Sequence, residues 1–192
     1  MRSLILGRMS GLAVLPAWVV PPPGQVRDAH CIAAVRGELE LDLRGVFAAF
    51  EWVTGGGPAP VTRRPEPLTP ALVRAEMLLA DLRAAGRVAE LGDDVWAHLG
   101  VSRADAVVLD EVWAQGVALT LAWVLGAQRR PPVEIPRRDG RGAPMSAAQL
   151  YAEKAATRHF LPPEDRARFR AEAEREAARY RQLAALAASA LT

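Results

Sequence analysis

The stretch that most limits what this chain can become is the apolar run 104–127, within which the 16 residues 112–127 carry no charge. A membrane-spanning helix needs about 20 apolar residues. The run therefore predicts a buried central helix instead. Its faces differ. Leu109, Val112, Trp113, Gly116, Thr120, Trp123 and Val124 make a bulky side, and Ala106, Asp110, Ala114, Ala118, Ala122 and Gly126 make a ridge of small residues at spacing four. A ridge at that spacing lets another helix approach closely. The bulky side is expected to serve the fold, and Asp110, Ala114, Ala118 and Ala122 are expected to meet a further element or a partner. If that ridge is buried, Asp110 needs a cationic neighbour.

Around this helix the prolines and glycines divide the chain. Residues 38–44 alternate polar and apolar strictly, the period of a half-buried strand. With the apolar run 30–35 before them they predict a β-hairpin. Residues 45–53 suit a third strand or a short helix equally well. Residues 54–67, rich in Gly and Pro, read as a loop or linker. Thr69 as N-cap and Pro70 at the first position then open a helix that Gly86 closes. Residues 93–99 form a shorter one ending at Gly100. Ser102 and Asp105 have capping-box spacing for the helix after it.

Beyond the central helix, 128–145 is an Arg- and Pro-rich linker holding Arg129, Arg130, Arg137, Arg138 and Arg141. Ser146 with Gln149 starts the next helix, and Pro162-Pro163 ends it. In the last helix Phe169, Ala173, Tyr180, Leu183, Ala187 and Ala190 fall near a heptad seam. Alone, so Ala-rich a seam stabilises little, so this arm must dock on something. Phe169, Tyr180 and Leu183 are its interface candidates. The fold class is thus mainly α: a segment 1–53 with a small N-terminal β-hairpin or sheet element, a linker 54–67, a compact helical core 68–127, a linker 128–145 and a long C-terminal helical arm 146–192.

Charge and composition narrow the function. Residues 61–127 carry six Arg against nine acids, whereas 128–192 carry 13 bases against eight acids. A basic arm of that kind fits an acidic protein surface, the chain's own acidic middle, or phosphate. One Lys against 23 Arg, with no Asn, points to a GC-rich genome rather than to nucleic acid. Cys31 is the one cysteine, which rules out an intrachain disulfide and suits a reducing compartment, the cytoplasm or a particle assembled there. Arg8 and Pro16 interrupt the apolar N-terminal segment, which reads as an extended stretch on the core rather than a secretion signal.

Catalytic groups are sparse. His30, His98 and His159 lie in three separate segments, and on a strand His30 and Cys31 would face opposite ways. The acid pairs Asp93/Asp94 and Asp110/Glu111 are adjacent in sequence, so on a helix neither shares a face. Gly55-Gly-Gly57 lacks the Lys and Ser/Thr of a phosphate loop and is followed by Pro58. No cofactor or metal site is read from the chain. In residues 94–109 the centre Leu99-Gly-Val-Ser-Arg103 resembles the turn of helix-turn-helix DNA-binding proteins. Trp96 stands where that family has a small residue, and the second helix offers mostly acids. The expectation is a non-enzymatic assembly, adaptor or scaffold subunit with a protein partner or a copy of itself. A DNA-binding regulator using 94–109 and the basic arm, and an enzyme with a carboxylate site, are the alternatives.

Overall fold

In the computed structural model the described residues are 15–64, 67–99, 110–156 and 162–191. They form seven α-helices and one 3-10 turn, and no strand occurs among them. The fold is mainly α, as expected. The hairpin is not there: residues 30–44 belong to α1 (Pro23–Arg36), a tight turn, and the start of α2 (Leu41–Val53).

The reason lies in which leucines are used. Of the alternating Leu39, Leu41 and Leu43, only Leu43 is buried, and Leu39 is 88% exposed in the turn. Leu43, Val46, Phe50 and Val53 repeat at helical spacing and all enter the core. That longer pattern overrides the local period of two. Pro23 supplies a preset first turn for α1. The turn between α1 and α2 is clamped by Arg44, whose Nε donates to the Gly37 carbonyl at 2.8 Å and whose Nη2 donates to that of Glu38 at 2.9 Å.

α3 (Pro70–Ala84) starts as its sequence requires, the Thr69 hydroxyl accepting from the Leu72 N–H at 3.2 Å, and ends at Gly86 with φ of 68°. α4 (Asp93–Leu99) follows a short 3-10 turn. The expected Ser102 cap and the helix-turn-helix-like centre at 100–103 lie outside the described residues.

α5 (Glu111–Val124) is the central helix, later in its start than expected. Asp110 is non-helical at ψ 139°, and its carboxylate accepts from the N–H groups of Val112 at 2.8 Å and Trp113 at 3.3 Å. It is therefore an exposed N-cap rather than part of a buried ridge.

α2 and α3 both pack on α5. The α2 crossing is backbone against backbone. A Cβ on Gly45 would overlap the Trp113 carbonyl, whose carbon would lie 2.9 Å away, and a Cβ on Gly116 would overlap the Asp42 carbonyl, with its carbon at 3.0 Å. On the far side of α5 from Gly116, Ala114, Ala118 and Leu121 are buried within the chain. Phe50 meets Trp123 edge to face at 6.1 Å. At the C-terminal end, Val20 N–H bonds the Val124 carbonyl at 3.0 Å, and Leu15, Trp18 and Val19 pack on the core.

α6 (Ala147–Ala156) begins with the Ser146/Gln149 capping box: Ser146 N–H donates to Gln149 Oε1 at 2.8 Å, and Gln149 N–H returns to Ser146 Oγ at 3.3 Å. α7 (Pro163–Ser189) then runs along two partners. With α6 it forms a small second core of Met145, Leu150, Ala173, Ala177 and Tyr180, while Ala187 and Ala190 join the main core. It also packs on α1.

Alanine at either Gly45 or Gly116 forces the two helices apart, and overpacking of this kind costs about 3 kcal/mol. Thermal unfolding should fall by about 10 °C for Gly45→Ala or Gly116→Ala. Gly24→Ala, whose Cβ would meet open space, should leave Tm unchanged or raise it slightly. Equal behaviour of the three variants would contradict the crossing.

Candidate functional site

The Arg-rich segment is where sequence pointed first, and the fold ties much of it down. Arg138 makes a bidentate pair with Asp28 of α1, Nε to Oδ2 at 2.6 Å and Nη2 to Oδ1 at 2.8 Å, and donates from Nη1 to the Gly142 carbonyl at 2.8 Å. The Asp28 side chain is only 4% exposed. Arg137 pairs with Glu153 of α6 at 2.6 Å. Asp139 accepts from the N–H groups of Arg141 and Ala143, which close a tight turn and hold its carboxyl below the usual range. Arg129, Arg130 and Arg141 are exposed.

Between the first turn of α1, residues 135–140 and α6 lies a cavity of about 740 Å3, with Pro22, Ile135 and Met145 in its walls. The Asp28–Arg138 and Arg137–Glu153 pairs form its charged rim and neutralise one another. It is an open, largely apolar hollow whose two arginines are paired with carboxylates and whose Asp139 is held by backbone N–H groups.

A second ionic group joins α6 to α7. Lys154 Nζ lies 2.9 Å from Glu176 and 3.8 Å from Glu172, the Tyr180 hydroxyl donates to Glu176 at 2.8 Å, and Arg179 pairs with Glu134. Burial, reinforced by Glu176, pushes the Tyr180 phenol up to about 12. Phe169 and Tyr180, expected at an interface, are buried in this chain, and Leu183 is half-buried between the two cores.

The buried polar groups are structural. Glu76, fully buried on α3, accepts from Val61 N–H at 2.7 Å, from Thr62 N–H at 3.2 Å and from the Thr62 hydroxyl. It staples the loop after α2 to α3, so Val61 and Thr62 are buried rather than solvated. Burial raises its pKa, and the bonds from Thr62 and Val61 and the charge of Arg64 oppose that rise. With its acceptor positions occupied it is no general base. His30 sits between the Phe47 and Phe50 rings with Nε2 3.0 Å from Glu51 Oε1 but out of line for a hydrogen bond. Cys31 is buried, and burial, then Asp28, pushes its thiol up, away from the reactive thiolate. Asp110 and Glu111 are both exposed at the start of α5. No group of three metal-ligating side chains occurs among the described residues, and none of their helices is long and apolar enough to cross a membrane.

Among the described residues, α5 keeps one face open. Val112 is 48% and Leu119 40% exposed, Gln115 is exposed and Ala122 half-buried. These positions follow at intervals of three and four, so they form one uncharged strip. Of the small-residue ridge, Ala114 and Ala118 are consumed by the fold, and Ala122 alone borders the strip. Sequence reasoning missed Leu119 here, as it missed Gly45, Asp28 and Glu76. The signal for Leu119 was its place at the edge of the bulky side, seven residues after Val112.

Two charge predictions follow from the buried carboxylates. Because Glu76 has a raised folded pKa, its stabilising contribution is fully present below its ordinary 4.5 and is lost as pH rises through the raised value. The unfolding free energy of the wild type relative to Glu76→Gln should therefore fall as pH rises across that window, measured by urea titration, and a flat difference would contradict it. Arg138→Ala leaves the Asp28 carboxylate buried and unpaired, at about 2–4 kcal/mol given the partial exposure of Arg138. The double variant Asp28→Ala/Arg138→Ala should lose less than Arg138→Ala alone. No protein-family model, curated protein or solved structure matches the chain.

Proposed function

We propose that this chain is a non-enzymatic assembly subunit, an adaptor or scaffold that works by holding another protein chain against the open face of α5. The observation that carries the reading is the uncharged strip Val112, Gln115, Leu119 and Ala122, left open on a helix whose other sides are covered by α2 and α3. A solvated helix of a charge-rich protein normally presents charged side chains there. Val112 and Leu119, exposed on one helix face with Gln115 and Ala122 between and beside them, offer an uncharged surface that a partner chain can cover. The regulator reading is weakened because Arg137 and Arg138 of the basic arm are engaged by carboxylates of the same chain. A reducing setting, the cytoplasm or a particle formed in it, suits a chain with the single, buried Cys31.

The test is the mass of the tagged chain after chemical crosslinking inside the cells that make it, before any dilution. The wild type should elute in a species heavier than its own 20.7 kDa. Leu119→Lys, a change at an exposed position, should shift it to the single-chain mass with unchanged Tm. A wild-type chain found at single-chain mass from those cells would sink the reading.

A further inference from the structure

We infer that the occupant of the α5 face is a second copy of this chain, the two α5 helices lying antiparallel across a two-fold axis. This rests on the assembly reading above and names its partner. The strip is self-complementary in that orientation. An axis passing at residue 117 sets Val112 over Ala122 of the copy and Gln115 over Leu119, so large side chains meet small or flexible ones on both halves. Such a reciprocal pattern is what a two-fold interface requires.

Charge selects the same orientation. Asp110 and Glu111 are exposed at the N-terminal end of α5, and Arg129 and Arg130 are exposed just beyond its C-terminal end. The chain folds back there, Ala127 N–H and Gln128 N–H both returning to the Ala122 carbonyl, so the arginines stay near the helix end. Antiparallel pairing brings the acidic end of each helix beside the basic end of the other and sets the helix dipoles in opposition. Parallel pairing would stack like charges. The 14-residue helix is about 21 Å long. Such a strip falls short of the roughly 800 Å2 per partner of a standard interface. The dimer is accordingly reversible, with Kd on the order of micromolar to tens of micromolar.

Sedimentation equilibrium of the purified full chain from about 1 to 300 μM spans that range. The weight-average mass should rise from 20.7 kDa toward twice that value. Leu119→Lys, Glu111→Arg and the pair Arg129→Glu/Arg130→Glu should each weaken association by about tenfold or more. All these positions are exposed, and circular dichroism and Tm verify that each variant is folded. Because Asp110 remains as the N-cap, joining Glu111→Arg with Arg129→Glu/Arg130→Glu in one chain restores one opposite-charge contact per helix end and should associate more tightly than Arg129→Glu/Arg130→Glu alone. A mass of one chain throughout, a dimer indifferent to Leu119→Lys, or a combined variant no tighter than Arg129→Glu/Arg130→Glu overturns the inference. A purified monomer that still travels in a heavier complex from its own cells overturns self-pairing and leaves the assembly reading standing.

Discussion

The rest of the structure depends on the crossing of α2 and α5, where Gly45 and Gly116 each lie against a backbone carbonyl of the other helix. The contact is reciprocal: Gly116 receives the carbonyl of Asp42, three residues before Gly45, and Gly45 that of Trp113, three before Gly116. Cα–H groups and carbonyl oxygens meet in such arrangements. The close approach lets Val46, Phe50, Val117 and Val124 reach full burial around it. It also explains an otherwise costly pair of helix glycines, each of which sacrifices about 0.5–1 kcal/mol of backbone entropy relative to Ala. Thr120 adds to the local order by donating to the Gly116 carbonyl at 2.8 Å, a buried bond.

Two buried carboxylates then turn loops into parts of the fold. Glu76 binds the loop after α2 to α3, and Asp28 binds residues 138–142 to α1 through Arg138. These segments have the Gly, Pro and Arg content of linkers. Their composition describes local stiffness and solvation, whereas their burial is decided by an acid far away in sequence. Asp28 and Arg138 are 110 positions apart, a separation at which no local pattern signals the pair.

What was legible in the sequence follows the same division between local and remote. Thr69-Pro70, Gly86 and the Ser146/Gln149 box all act within one helical turn, and the helix ends they specify are found where composition places them. The hairpin expected at 30–44 does not form because the alternation of 38–44 is a seven-residue coincidence, while the stripe Leu43, Val46, Phe50 and Val53 needs a longer window to appear. Asp110 differs from expectation for a related reason: an apolar run does not show where its helix starts, and a capping acid looks like an interruption. The candidate site was legible only in part. The sequence identified α5 as the helix with two sides to cover, but Ala114 and Ala118 turned out to be covered by the chain itself, and the open strip lies next to them.

That outcome follows from how many neighbours each helix finds. α7 has an Ala-rich seam that alone gains little, yet Ala173, Ala177 and Tyr180 are buried toward α6, Phe169 is buried too, and Ala187 and Ala190 reach the main core. Its seam is thus shared between two supports within the chain. α5 is the opposite case. It carries no charge from Val112 to its end, and among the described residues α2 and α3 together leave one strip of it facing outward. The helix with weak apolar content finds its cover inside the chain, and the proposed interface falls on the one that keeps apolar side chains exposed.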